Sequence, residues 1–144
     1  MNFKNQAHKL EGFLEEEFKL KTPLLVLKDQ TVVYKNYKIK KNSNHQWNLI
    51  LDGSVLGVFK LRAGAIIAAK CHDKTDFARL NEIKILDFQY WQHSVDEHIF
   101  HYKFDTTKDA DKRDIFLARW ELARDRAKVY RSKISSLFRS TFDK

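Results

Sequence analysis

Residues 46–60 read QWNLILDGSVLGVFK. Two apolar runs meet at Asp52-Gly53, a dipeptide that accepts the positive φ angles of a two-residue type I′ turn, so this stretch predicts a β-hairpin. A tight turn there sets Leu51 opposite Ser54, Leu49 opposite Leu56 and Trp47 opposite Val58. One face would then carry Trp47, Leu49, Leu51, Leu56 and Val58, and an apolar sheet face needs a cover. Leu61 to Cys71 supplies it, because Ala63, Ile66, Ile67 and Ala69 place small and branched apolar groups almost all round a helix, as in a buried one.

Upstream, Leu24 to Leu27 and Thr31 to Lys40 read as extended segments separated by Lys28-Asp29-Gln30, the second with Val33, Tyr37 and Ile39 on alternate positions. With the hairpin they make a small antiparallel sheet of about three strands. Before it, Phe3, Ala7, Leu10 and Leu14 recur at 4-3-4 spacing, and Phe13 and Phe18 widen the same side. Residues 3–20 are therefore expected to form a helix, an appendage over 1–22 that Thr22-Pro23 ends.

Downstream the pattern becomes helical. Phe77, Leu80 and Ile83 fit a helix from Thr75; residues 83–91 are read as helix although Ile83, Ile85, Phe88 and Tyr90 partly alternate. Ser94-Val95-Asp96-Glu97 has the form of a capping box and predicts a fresh helix start, with a break at Asp105-Thr106-Thr107. The last helix runs from about Asp109 to Arg139, with Phe116, Trp120, Ala123, Ala127, Tyr130, Ile134 and Leu137 as a 4-3-4-3-4-3 seam. Ile115, Leu122 and Val129 line a neighbouring stripe and predict a broad face buried in a globular core. The fold class is α+β: one domain over 23–144, with a sheet and buried helix in 23–72 and a helical half in 73–144.

The chain has 144 residues, one domain's worth, and four Gly with one Pro favour helix over loop. Its single cysteine, Cys71, excludes an intrachain disulfide, and Met1-Asn2-Phe3-Lys4 enters an amphipathic pattern with no secretory leader. An intracellular protein is expected, and no apolar stretch approaches the length of a membrane span. The net charge of +8 is unevenly placed: zero over 1–22, +6 over 23–72, −4 over 73–111 and +6 over 112–144. The acidic block precedes the second basic block, so an antiparallel helical hairpin would bring them together.

Beside the seam of the last helix stand Arg119, Arg124, Arg126, Arg131 and Lys133, with no carboxylate among the flanking positions. Two parallel copies would set like charges together; the cations suit either phosphate contacts or internal cover by Asp76, Glu82, Asp87, Asp96 and Glu97, and the second reading is preferred. Lys35, Lys38, Lys40 and Lys41, interleaved with Tyr34, Tyr37 and Ile39, fit a nucleic-acid-binding strand, but outward lysines also protect an edge strand, and that is the stronger explanation. His93, His98 and His101 with Asp96 and Glu97 lack an established metal spacing, so no metal or cofactor is expected. Cys71-His72 are adjacent and would point apart in a helix, and neither a nucleophile elbow nor a phosphate loop occurs. The expectation is not an enzyme, with no small-molecule substrate.

The hairpin with Trp47 on its first arm, Val58-Phe59-Lys60-Leu61, the Ala65 to Ala69 helix, Leu86-Asp87, Val95-Asp96-Glu97-His98 and Lys128-Val129-Tyr130-Arg131 together resemble small uncharacterised proteins of T4-like marine phages. The resemblance covers about residues 34 to 138 as an order of patterns. It implies a phage origin, hence the host cytoplasm or a virion, and an accessory or particle-associated role; no activity comes with it. Two functions are carried forward. One is an interaction protein acting through self-assembly or a protein partner, by its last helix or the open side of the sheet. The other is a nucleic-acid-binding accessory protein using Arg119, Arg124, Arg126, Arg131 and Lys133 with Lys35, Lys38 and Lys40.

Overall fold

The computed structural model describes residues 24–142. The helix expected over 3–20 lies outside the described residues. The fold is α+β, and its sheet has five strands rather than about three: β1 Leu25–Val26, β2 Val32–Tyr34, β3 Tyr37–Lys41, β4 Trp47–Leu51 and β5 Ser54–Phe59. They pair antiparallel in sequence order, a meander in which every connection is short. The extra strands come from turns with no Gly or Pro to announce them. Thr31 to Lys40 is not one strand, because Lys35 takes a left-handed φ of 49° and with Asn36 forms a tight turn. Tyr34 then pairs with Tyr37 and Val32 with Ile39, all four buried on one side, while Val33 falls on the other. Between β3 and β4 the Asn42 side chain accepts from the backbone N–H groups of Asn44 and Gln46 at 2.9 and 3.1 Å, holding the loop closed.

The hairpin forms at Asp52-Gly53, with φ of 50° and 82°, and Leu51 faces Ser54 as expected. Beyond the tip the register shifts. A bulge against Leu49 and Ile50 leaves Leu49 opposite Gly57, and Trp47 meets Phe59 instead of Val58. Leu56 and Val58 are therefore exposed, not buried as the simple alternation predicts. Phe59 takes the inner position, with its ring beside Gly57: a Cβ there would stand 3.3 Å from it.

Helix α1, Arg62–Asp73, covers the inner face, and Ala63, Ala65, Ile66, Ile67, Ala68 and Ala69 are wholly buried. Its N-terminus has no capping side chain of its own. Asp87 serves instead, accepting from the backbone N–H of Lys60 at 2.7 Å and of Leu61 at 3.0 Å. Gly64 makes room: a Cβ there would lie 2.6 Å from the Asp87 carboxylate. Burial pushes that carboxyl up to about 6, against the pull of the two N–H groups and Lys60. An acid whose folded pKa is raised disfavours its own ionisation in the fold. Its contribution to stability therefore falls as pH rises from about 4 to about 6, by about 3 kcal/mol for two units of displacement. Urea unfolding at pH 4 and pH 7 should show this decline in the wild type and lose most of it in Asp87→Asn.

Helix α2, Phe77–Thr106, begins at Asp76, whose carboxylate accepts from the Arg79 N–H at 3.2 Å. It continues through Ser94, so the capping-box pattern marks no new start. Phe77 to Thr106 contains no Gly or Pro, and its seam positions Ile83, Leu86, Tyr90, His93, Phe100 and Phe104 keep one phase throughout. Helix α3, Ala110–Phe142, returns antiparallel after the break at Thr107, with the Asp109 carboxylate accepting from the Asp111 and Lys112 N–H groups. Ile83, Leu86 and Tyr90 of α2 and Ile134, Leu137, Phe138 and Phe142 of α3 join the sheet and α1 in one core. No helix among the described residues is long and apolar enough to cross a membrane.

Candidate interaction surface

Past Tyr90 on α2 and before Ala127 on α3, neither helix contributes to that core. The hairpin continues as a two-helix arm, about 24 Å long for the sixteen residues from Trp91 to Thr106. Its seam is aromatic and cationic. His93 stacks on Tyr130 at 5.1 Å, His101 lies 4.4 Å from Trp120, and Phe104 lies 6.2 Å from the same indole. Lys103 stands over both Phe100 and Phe116, and Arg113 stands over Phe104 at 4.6 Å.

The predicted cations divide between the flanks of this seam. Arg119 and Lys133, fourteen residues apart with Arg126 midway, share one flank with Lys112; Arg124 and Arg131 share the other. Arg119 rests over the Phe100 ring at 5.7 Å and Lys133 over Tyr130 at 5.0 Å, while Arg124 meets Asp125 of its own helix at 3.5 Å. Two acids expected to lie under the cations are occupied elsewhere, Asp76 at the start of α2 and Asp87 at the start of α1. Lys35 bonds Asp73 at 2.8 Å beside Tyr34, which holds that carboxyl below its ordinary value. Lys38 and Lys40 are exposed on the sheet face turned away from α1. The lysine-bearing strand and the basic helix are thus separate surfaces.

The sequence reading missed what lies next to the cations. Ile115, Leu122 and Val129, expected in the core, are each about half exposed. Each precedes a cation by four residues, Arg119, Arg126 and Lys133, so an apolar row runs beside a basic one. The His93–Tyr130 and His101–Trp120 contacts level Ile99 of α2 with Leu122 of α3. Ile99 follows Glu97, and Leu122 follows Trp120, by two residues on the continued seam spacing of each helix, and equivalent heptad positions fall on the same flank of an antiparallel pair. Exposed Ile99 and Tyr102, with Val95 between α2 turns, extend the apolar surface. A second 3-4 periodicity on α2, out of phase with the buried seam, was the available signal.

Among the described residues no three His, Cys, Asp or Glu side chains come together in a way that could hold a metal ion. His72 accepts or donates at Nδ1 to the Tyr37 hydroxyl, 2.7 Å away, and burial pushes the Cys71 thiol up to about 11. The thiol stays protonated and the imidazole is engaged elsewhere, so the two form no nucleophile and base pair. No protein-family model, curated protein or solved structure matches the chain.

Proposed function

We propose that this is a non-enzymatic interaction protein, phage-encoded as the sequence resemblance implies, which engages a protein partner through the α2–α3 arm. The observation that carries the reading is the apolar row Ile115, Leu122 and Val129, exposed in a helix whose other side already satisfies the fold. The basic row beside it favours an acidic helix as partner. Two copies meeting on this flank would oppose Arg119, Arg126 and Lys133 with themselves.

Leu122→Asp and Val129→Asp are expected to change the unfolding free energy by less than about 0.5 kcal/mol, as exposed sites do. In parallel affinity captures from infected host cells, an acidic protein retained by the wild-type chain should be lost with these variants. Equal retention by both would remove the arm from the reading. The same basic row supports a second function, nucleic-acid binding. A salt titration with generic DNA and RNA decides it, because a multi-phosphate site binds tightly near 50 mM salt and weakens steeply above it. Absence of binding at low salt sinks that alternative.

A further inference from the structure

Strand β5 ends the sheet on one side: among the described residues it pairs with β4 and with no other strand. An edge of this kind presents a row of unpaired backbone N–H and C=O groups, which proteins usually guard with lysines, proline or brevity. The opposite edge, β1, is two residues long, and the strand lysines Lys38, Lys40 and Lys41 stand on β3, in the middle of the sheet. β5 has none of these protections. It is the longest strand, reads SVLGVF with no charged group or proline, and leaves Val55 and Val58 each about half exposed. The bulge against Leu49 and Ile50 disrupts it near the tip, while Gly57, Val58 and Phe59 pair regularly with β4.

Helix α2 turns the regular part of this edge into one wall of a cleft of about 260 Å³, lined by Gly57, Val58 and Lys60 on one side and by Lys84, Asp87 and Phe88 on the other. That volume is below the roughly 300–1,000 Å³ usual for small-molecule sites and suits the side chains of a bound polypeptide instead. Gly57 has no side chain to hold a second backbone away. The cleft is cationic. Lys84 is exposed, Lys60 stands over the Trp91 ring at 4.6 Å, and the single acid of the lining, Asp87, is committed to the Lys60 and Leu61 N–H groups. Phe88, about half exposed and 6.3 Å from Trp91, supplies an apolar wall. An extended acidic chain uses all of these features, since its main chain can pair with β5 while alternate side chains meet the cleft. A second copy does not. Two-fold pairing of β5 edges about Val58 sets Lys60 opposite Leu56, and SVLGVF brings no carboxylate to either lysine.

We propose that the β5 edge and the adjoining side of α2 bind an extended acidic peptide by strand addition, with an apolar side chain against Phe88 and carboxylates at Lys60 and Lys84. This surface is distinct from the exposed row of α3 and takes an extended partner, not a helical one. Titration of the 15N-labelled full chain with blocked octapeptides that alternate glutamate with valine, leucine or phenylalanine tests this through the amide spectrum. At least one octapeptide should shift the amides of Gly57 to Lys60 and of Lys84 to Trp91. N-methylation of that peptide at alternate residues should weaken binding roughly tenfold in the phase that faces β5 and little in the other, because only one phase donates to the edge. Lys84→Glu, at an exposed position that the fold does not use, should weaken it by a similar roughly tenfold factor. No shift at these amides with any octapeptide, equal affinity for an octapeptide of alternating lysine and valine, or N-methylation without effect in either phase would overturn the proposal. Tighter binding of oligothymidylate at the same amides would overturn it in favour of nucleic acid. Protection of the Gly57 and Val58 amides that rises with protein concentration, without peptide, would overturn it in favour of a second copy.

Discussion

Asp87→Ala is expected to lower the unfolding free energy at pH 4 by about 3 kcal/mol or more, since two backbone N–H groups lose their acceptor at about 1–3 kcal/mol each, and by less at pH 7, where the substitution also removes the burial penalty of the ionised carboxyl. The groups are those of Lys60 and Leu61, where β5 passes into α1, and Asp87 reaches Leu61 from a position 26 residues away. Gly64→Ala strains the same device from the other side. Its new methyl would stand 2.6 Å from the carboxylate, which cannot withdraw without releasing the two N–H groups. A cost of about 2–3 kcal/mol is expected for overpacking of this kind. The two substitutions should not add. Once Asp87 is alanine the obstruction is gone, and Gly64→Ala becomes neutral or stabilising by up to about 1 kcal/mol through helix propensity. A double-mutant cycle by urea unfolding measures the reversal; additive costs would show that Gly64 and Asp87 act independently.

The second large effect is expected at Phe138. Its ring is fully buried, lies 4.8 Å from Phe142, and through that ring connects the end of α3 to Tyr34 of β2 at 6.3 Å. Phe138→Ala should cost about 3–5 kcal/mol, the range for removing a buried aromatic side chain, and should lower cooperativity for the whole domain. Trp120→Ala makes the contrast. That indole serves only the arm, against His101 and Phe104, so its loss should speed amide exchange over the distal parts of α2 and α3 and leave α1 and the sheet protected. Exchange measured on both variants separates a joint of the core from a joint of the arm.

The elements most legible in the sequence were those with a dense local signal. Asp52-Gly53 announced its turn, the alanines of α1 announced a buried helix, and the seam of α3 from Phe116 to Leu137 turned inward as a unit. The elements that escaped depend on single residues in ordinary-looking places. Lys35 takes a left-handed turn that glycine usually marks, so one apparent strand proved to be two and the sheet gained an inner strand. The bulge at Ile50 moved Phe59 inward through one extra residue, a shift that alternation alone cannot show. Ser94 and Glu97 have capping chemistry but lie inside a helix held by its seam with α3. The exposed row on α3 was visible as a pattern and assigned to the wrong side, because periodicity gives the width of an apolar face without saying how much of it the fold covers. The cations of that helix stood out from composition; the aromatic neighbour of Arg119 across the hairpin, Phe100, came only with the pairing of α2 and α3.

Cys71 gives the molecule a built-in clock. It is the chain's single sulfhydryl, buried in α1 near Asp76, Arg79 and Glu82 at the start of α2 and held in its unreactive protonated form. An alkylating reagent must wait for α1 to come away from its neighbours in the core, whereas fraying of the distal arm leaves the sulfur enclosed. The rate of modification therefore counts openings of the central layer alone, in the natural sequence and without any introduced label.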